Sequence, residues 1–305
     1  MGTGKLYVTN SGVGEVSVLD TTKGEITGTV DVGLHPHGVA PSPDGRTVYV
    51  ADTGPDTGAG GSRTLTVMDT GADKATVTWQ TGLARRSFAV SPDGRMVYVS
   101  CGDGLKVLDA ETGRTRRRLP ELAEANGVAV HTDGRRVYMV SPWSDTLVVL
   151  DAGSLRVVAR SRVGRTPWQV ALSPDGSRAW VSCATDDTVT AVDTASAKAD
   201  GTVKVGHVPT GITATSNTVW VCTNAGATVD AIDTTSLRVL VGTRLGLVLG
   251  PPRRGGRLTR RRTPAWAQTR IAGPAGGRPA LDGPGYGHLS MPTTSHSCQA
   301  TAAGP

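Results

Sequence analysis

Residues 168–206 read WQVALSPDGSRAWVSCATDDTVTAVDTASAKADGTVKVG, and this stretch decides the fold. Alternation of apolar and polar residues marks four short strands. They lie at about 168–172, 178–183, 188–192 and 198–205. Between the first two comes Ser173-Pro174-Asp175-Gly176, a turn sequence because Pro fixes φ, Asp bonds its own turn and Gly accepts a positive φ. Four strands in about 40 residues predict one blade of a β-propeller.

The same unit recurs along the chain. An aromatic residue, here called the anchor, is followed by Val or Met in six pairs spaced 40 to 49 residues apart. The pairs are Tyr7-Val8, Tyr49-Val50, Tyr98-Val99, Tyr138-Met139, Trp180-Val181 and Trp220-Val221. A lone blade cannot bury both of its faces, and neighbouring blades cover them. The sequence therefore predicts an all-β propeller of four-stranded blades, six of them visible as repeats.

Two further motifs repeat and are predicted to be structural. Ser-Pro-Asp-Gly occurs at 42–45, 91–94 and 173–176, and in weaker form at 131–134 and 215–217. An Asp closes the third strand of each unit, at Asp20, Asp69, Asp109, Asp151, Asp193 and Asp233. Such a side chain can accept bonds from the N–H groups of the following turn. Repetition in every unit is expected of turns and packing, and not of one active site.

The motifs resemble a known family. Tyr7-Val8-Thr9-Asn10 is the signature of the YVTN-repeat propellers, and Ser-Pro-Asp-Gly with the Asp-closed strands matches their consensus. The resemblance covers about residues 3–246 and extends to the YncE-like and surface-layer-associated propellers. It implies a seven-bladed propeller, usually outside the cytoplasm, with binding roles. DNA binding is ascribed to some YncE-like members, and the family shares no catalytic motif.

The repeat stops after Leu245-Gly246, and a Gly-, Pro- and Arg-rich segment follows. We therefore assign residues 1–246 to the propeller and 247–305 to an irregular tail, either disordered or the product of a frameshift. The first unit starts at its second strand, Lys5–Asn10, so its first strand should come from the other end of the chain. The pattern is lost there, which predicts an open or poorly closed ring.

Ligand binding is predicted at the mouth of the central channel. Aligning the units places five residues, here called the mouth positions, where the chain enters each first strand: His37, Arg86, Asn126, Trp168 and Thr210. Their chemistry varies on a regular frame, as in repeat scaffolds that carry specificity. His35, Arg85, Arg165 and His207 lie nearby and could add to them. The alternative is that all are ordinary solvated loop residues.

No catalytic residue, metal ligand or cofactor site is predicted. His35-Pro36-His37 has no accompanying cluster of carboxylates or thiolates, which makes a metal site there unsupported. The chain also lacks a nucleophile elbow and a glycine-rich phosphate loop. Cys101, Cys183 and Cys222 fall in predicted strands and are interpreted as small buried residues.

Three functions remain open. The first is a noncatalytic propeller that binds a protein, peptide or surface polymer at the channel mouth. The second is a lactonase-like hydrolase, which would need a channel metal ringed by Glu, Asp or Asn; Asn126 alone of the mouth positions is of that kind. The third is DNA binding. The chain carries a net charge of +6, but eight Arg and one Asp give residues 246–305 a local +7, so residues 1–245 carry about −1. A near-neutral propeller argues against nucleic acid.

The expected cellular location is argued from residues 1–5, the family resemblance and the hydropathy of the sequence. Residues 1–5, Met-Gly-Thr-Gly-Lys, do not resemble a signal peptide, which favours the cytoplasm for the chain as written. The family resemblance instead favours an exported or cell-surface protein if the N-terminus is truncated. No stretch of about 18 apolar residues is present, so no membrane span is predicted. We expect a monomer.

Overall fold

A computed structural model describes residues 4–10, 12–52, 64–82, 87–123, 125–244 and 300–302. In these residues the protein is built from β-strands, with one short 3-10 helix at Pro120–Leu122. Strands β1 to β11 are Lys5–Asn10, Glu15–Asp20, Glu25–Asp31, Pro36–Pro41, Thr47–Asp52, Thr64–Asp69, Lys74–Gln80, Ser87–Val90, Met96–Cys101, Gly104–Asp109 and Thr115–Leu119. Strands β12 to β24 are Val128–Val130, Arg136–Ser141, Thr146–Asp151, Val157–Arg162, Pro167–Leu172, Arg178–Cys183, Thr188–Asp193, Lys198–Lys204, Pro209–Ala214, Thr218–Thr223, Thr228–Asp233, Val239–Arg244 and Ala300–Ala302. No helix in this part of the chain has the length and apolar character needed to cross a bilayer.

The strands form six four-stranded antiparallel sheets, which confirms the predicted propeller blades. Blade 1 has the order β24-β1-β2-β3. Blades 2 to 6 consist of β4–β7, β8–β11, β12–β15, β16–β19 and β20–β23. The first strands β4, β8, β12, β16 and β20 contact one another in that order, so they are the inner strands. The fourth strand of each sheet is its outer edge.

The turns have the structural roles predicted for them. In Ser42-Pro43-Asp44-Gly45, Asp44 Oδ1 accepts the Ser42 hydroxyl at 2.6 Å and the Arg46 N–H at 3.1 Å. Gly45 adopts φ 67°, a region that favours glycine. At the end of β18, Asp193 Oδ1 accepts the N–H and the hydroxyl of Ser196 at 2.7 and 2.6 Å. These carboxylates hold hairpins together.

Apolar side chains fill the space between consecutive blades. Between blades 4 and 5, Tyr138, Leu147 and Val149 pack against Val181 and Val192. Four further clusters of the same kind join blades 1 to 2, 2 to 3, 3 to 4 and 5 to 6. Each contains the anchor and third-strand residues of one blade and residues from the second and third strands of the next. The alternation of the sequence thus places one face of each strand against each neighbouring blade.

The anchor of blade 6 differs from the others. Tyr7, Tyr49, Tyr98, Tyr138 and Trp180 are at most 4% exposed, whereas Trp220 is 40% exposed. An anchor is buried when the following blade covers it. The face of blade 6 that points away from blade 5 is therefore less covered, among the described residues, than the corresponding face of any other blade.

Blade 1 is completed by strands from two distant parts of the chain. β24 pairs antiparallel with β1, and Tyr7 lies opposite Thr301. This confirms that the missing first strand of the first unit comes from the other end of the chain. The proposed boundary at 246/247 and residues 245–299 lie outside the described residues.

Candidate binding site at the start of the inner strands

The structure places four of the five mouth positions at the start of inner strands. His37, Trp168 and Thr210 are the second residues of β4, β16 and β20, and Asn126 lies two residues before β12. Each blade repeats the same strand order, so these starts share one face of the propeller unit, here called the mouth face. Arg86 directly precedes β8 and lies outside the described residues. His37, Trp168 and Thr210 are half-buried.

Hydroxyl groups of the preceding blades hold the backbone at three mouth positions. The Thr9 hydroxyl donates to the His37 carbonyl at 3.3 Å. The Ser100 hydroxyl donates to the Asn126 carbonyl at 2.5 Å, and the Ser182 hydroxyl to the Thr210 carbonyl at 2.8 Å. All three donors come two residues after an anchor. Sequence reasoning missed them, although a Thr or Ser at that spacing in alternate blades was a readable signal.

Blade 4 has Val140 at this spacing, which offers no hydroxyl. There the Gly127 N–H donates to the Trp168 carbonyl at 3.1 Å instead. The mouth backbone is therefore fixed at all four described positions, while the side chains are left to vary.

Carboxylates on the mouth face fix the loops that lead into the inner strands. The Thr166 N–H donates to Asp145 Oδ1 and the Val208 N–H to Asp187 Oδ1, both at 2.9 Å. Thr166 and Val208 adopt φ values of 53° and 55°, an uncommon region for β-branched residues. The two Asp side chains stabilise this strained backbone by accepting hydrogen bonds from the N–H groups of Thr166 and Val208. They were also missed by sequence reasoning.

Asn126 is the most buried mouth position, at 1% exposure. Its N–H donates to the Val140 carbonyl at 2.8 Å, and its own carbonyl accepts from Ser100. The side-chain Nδ2 is buried and has no hydrogen-bond partner. Because unsatisfied buried donors are rare in folded proteins, this amide is a candidate contact for a ligand oxygen.

Gln169 is a further residue of the site that the sequence did not indicate. Its side-chain amide lies 3.2 to 3.3 Å from the Ser87 hydroxyl, so it extends from blade 5 to blade 3. It passes over Gly127, where an added Cβ would lie 2.1 Å from Gln169 Oε1. Three consecutive inner strands are thus bridged by one polar side chain next to Asn126.

Two of the described ionisable groups near this face, Arg165 and His207, have structural partners. Arg165 pairs with Asp186 at 2.6 Å, and His207 lies 2.9 Å from Asp187. Burial raises the pKa of the Cys101 thiol to about 11, which makes it a poor nucleophile. In the described ranges, no three His, Cys, Asp or Glu side chains are grouped so that they could hold a metal ion. What the site offers chemically is hydrogen bonding and aromatic surface.

The sequence matches the profile of a known protein family. A family profile described as "Lactonase, 7-bladed beta-propeller" matches residues 7–213, which include every mouth position. The chain belongs to the seven-bladed lactonase family. Six blades of this lactonase-family propeller are described here. The finer resemblance to YVTN-repeat and YncE-like propellers stays a prediction.

Solved structures share the fold of this lactonase-family propeller. Kuenenia stuttgartiensis hydrazine synthase is 19% identical, with a TM-score of 0.64 over 76% of this chain and 80% of that one. A functionally unknown protein from Desulfotomaculum acetoxidans DSM 771 is 16% identical, with a TM-score of 0.67 over 81% and 82%. The dihydro-heme d1 dehydrogenase NirN, in complex with DHE, is 20% identical, with a TM-score of 0.59 over 80% and 54%. No curated protein matches. At these identities the likeness concerns the fold alone.

Proposed function

We propose that the protein is a noncatalytic propeller that binds a protein, peptide or surface polymer at the mouth positions His37, Arg86, Asn126, Trp168 and Thr210. The observation that carries this proposal is the buried Asn126 Nδ2, which has no acceptor. A ligand carbonyl or carboxylate oxygen would satisfy it. The fixed backbone at His37 and Thr210 supports the proposal, because a rigid frame lowers the entropy lost on binding.

A binding screen tests this proposal. The immobilised protein would be screened against a peptide-display library and an array of soluble cell-surface polymers. Ligands retained by the protein should bind about tenfold or more weakly to Asn126→Ala and Trp168→Ala, since a central contact is worth about 1.4 kcal/mol or more. The matched control is Trp143→Ala, because Trp143 is 76% exposed and is not a mouth position. Equal losses in the control and the mouth variants would contradict the proposal.

Lactone hydrolysis is the second candidate, and the family match over residues 7–213 favours it. Its test is a pH-stat assay of aliphatic and aromatic lactones with and without added divalent metal ions. Turnover that is lost in Asn126→Ala and kept in Trp143→Ala would favour the hydrolase. Turnover that is insensitive to both variants would arise elsewhere or from a contaminant.

A further inference from the structure

A second candidate site lies on the face opposite the mouth, between blades 5 and 6. The face carries the turns that join first to second strands and third to fourth strands. A cavity of about 290 Å³ opens there. Its lining residues are Ser173, Asp175, Ser177, Arg178, Trp180, Ser216 and Thr234. This volume is near the lower end of small-molecule pockets and about ten times the volume that one liquid water occupies.

A shortened turn explains why the cavity is at this interface. Along the same face, the turn of one blade packs against the turn of the blade before it. A Cβ on Gly94 would lie 3.7 Å from Pro43, and one on Gly134 would lie 3.8 Å from Pro92. In blade 6 the turn is only Ser216-Asn217, closed by the Thr215 N–H and the Thr218 carbonyl at 2.8 Å. It is two residues shorter and has no Pro-Asp-Gly with which to cover blade 5.

Trp180, which lines the cavity, carries a buried hydrogen-bond donor that has no acceptor. Trp180 is 0% exposed, and its Nε1 has no partner. Anchors of earlier blades reach one: the Tyr7 hydroxyl donates to Asp73 at 3.1 Å and the Tyr49 hydroxyl to the Ala110 carbonyl at 3.3 Å. Tyr138, one blade before Trp180, also lacks a hydroxyl partner, but there the following turn, Ser173-Pro174-Asp175-Gly176, has full length. A buried indole N–H normally finds an acceptor.

The charges around the cavity decide which ligand fits. The Arg178 guanidinium lies 5.7 Å from the centre of the Trp180 ring, and it pairs with Asp200 at 2.9 Å. It also donates to the Thr234 carbonyl at 2.7 Å. The Asp175 carboxylate faces the same space, with its pKa lowered to about 2 by the hydroxyl and N–H groups around it. An anion would therefore meet a neutralised arginine and an ionised carboxylate, which disfavours it.

We infer that this cavity is a binding site for a small neutral molecule rich in hydroxyl groups, such as a monosaccharide unit. A ligand hydroxyl oxygen accepts the Trp180 N–H, and ligand hydroxyl protons are donated to Asp175. Ser177 and Ser216 add hydroxyls that both donate and accept. The site is distinct from the mouth positions and does not depend on the proposed function.

The test uses the full chain with ¹⁵N-labelled tryptophan and follows the indole N–H signals by NMR. The Trp180 signal is assigned by its loss in Trp180→Phe. D-glucose should shift this signal saturably and leave the signal of the exposed Trp143 in place. No shift with D-glucose would overturn the proposal, because water would then be the occupant. A shift with sodium acetate as large as that with D-glucose would overturn the assignment to a neutral ligand.

A turn graft supplies the matched variant. Replacing Ser216-Asn217 by a copy of residues 174–177 restores the full-length turn and should fill the cavity. The graft should abolish the D-glucose shift of Trp180 while the other indole signals keep their positions, which shows that the propeller is intact. A glucose shift that survives the graft in a folded protein would place the binding elsewhere and contradict the proposal.

Discussion

The third residue after the anchor has a hydrogen-bonded polar side chain in blades 1 and 2, but of different chemistry. In blade 1, Asn10 Nδ2 donates to the Ser17 hydroxyl at 2.8 Å. In blade 2 the equivalent residue is Asp52, whose Oδ2 accepts the Thr66 hydroxyl at 2.7 Å. Asp52 is 4% exposed and its Oδ1 has no partner, so blade 2 buries a carboxyl where blade 1 has a half-buried amide. Burial raises the pKa of the Asp52 carboxyl above its usual range, against the opposing effect of the hydroxyl groups of Thr66 and Thr64.

Asp52→Asn is expected to stabilise the protein at pH 7 by about 1 kcal/mol, because it removes a buried charge at a position where Asn10 shows that an amide fits. The folded state binds the Asp52 proton more tightly than the unfolded state. The contribution of Asp52 to the free energy of unfolding therefore falls as the pH rises from the unfolded pKa through the folded pKa. Urea unfolding at pH 5 and pH 7 should show less pH dependence in the variant than in the wild type. Asp44→Asn is the control and should lower the free energy of unfolding at pH 7, since the hydrogen bonds of its turn favour the ionised carboxylate and lower the Asp44 pKa.

Gly127→Ala is expected to destabilise the protein by about 1–3 kcal/mol, the usual cost of overpacking. The added Cβ would lie 2.6 Å from Gln169 Cα and 2.9 Å from the Val170 nitrogen, both held in β16. Gly28→Ala in β3 is the control, because a Cβ there meets nothing within 4 Å. Thermal unfolding followed by circular dichroism measures both. A Gly127 variant as stable as the Gly28 variant would mean that β12 and β16 are further apart than described.

Among the elements, the hairpins make the propeller sensitive to acid. The carboxyls that close third strands accept hydrogen bonds from hydroxyl and N–H groups of the following turn, and these bonds hold the pKa values of Asp20, Asp151, Asp193 and Asp233 below the usual range. A carboxyl with a lowered folded pKa stabilises the fold above its unfolded pKa, and this stabilisation is lost as the pH falls.

Asp193→Ala is therefore expected to lower Tm at pH 7, and the difference from the wild type should shrink as the pH falls below the ordinary Asp value of 3.8. The reason is that protonation weakens in the wild type the same bonds to Ser196 that the variant lacks. Differential scanning calorimetry between pH 2.5 and pH 7 measures this. A Tm difference that stays constant with pH would show that these bonds do not depend on the charge.

The strands and turns were predictable because their signals are local. Alternation in 178–183 and Ser-Pro-Asp-Gly at 173–176 each act within a few residues of the chain. The contacts around the candidate site were not predictable, because they form between residues that are far apart in sequence. Gln169 and Ser87 are 82 residues apart, and the burial of Asn126 depends on blade 3. The periodicity of the sequence predicted the mouth positions but carried no information about which of their side chains would be buried.

At the scale of the whole molecule, the exposure of the anchors reports which blade faces are covered. Trp180→Ala is expected to cost about 3–5 kcal/mol, the range for a fully buried aromatic residue. Trp220→Ala should cost less, about 2–3 kcal/mol, because 40% of its surface already meets solvent. Urea unfolding of the two variants measures the difference. Equal costs would mean that Trp220 is covered in solution by material beyond the described residues.

The frameshift hypothesis for residues 247–305 also belongs to this scale and stays a prediction. Resequencing the gene tests it directly. A corrected frame should encode a further Ser-Pro-Asp-Gly turn shortly after residue 246, and an unambiguous read in the present frame with no hidden repeat would end the hypothesis.

The pairing of β24 with β1 has a consequence for how the protein is made. Residues 5–31 leave the ribosome before blades 2 to 6, yet the inner strand of their blade, Ala300–Ala302, is synthesised after all of those blades. Blades 2 to 6 can each form as soon as their own hairpins emerge. Blade 1 instead presents the unpaired edge of β1 until Ala300–Ala302 has been synthesised, and such an edge can pair with other chains. Blade 1 is thus synthesised before the other described blades and completed after them, and the growing chain is open to mispairing at β1 in the interval.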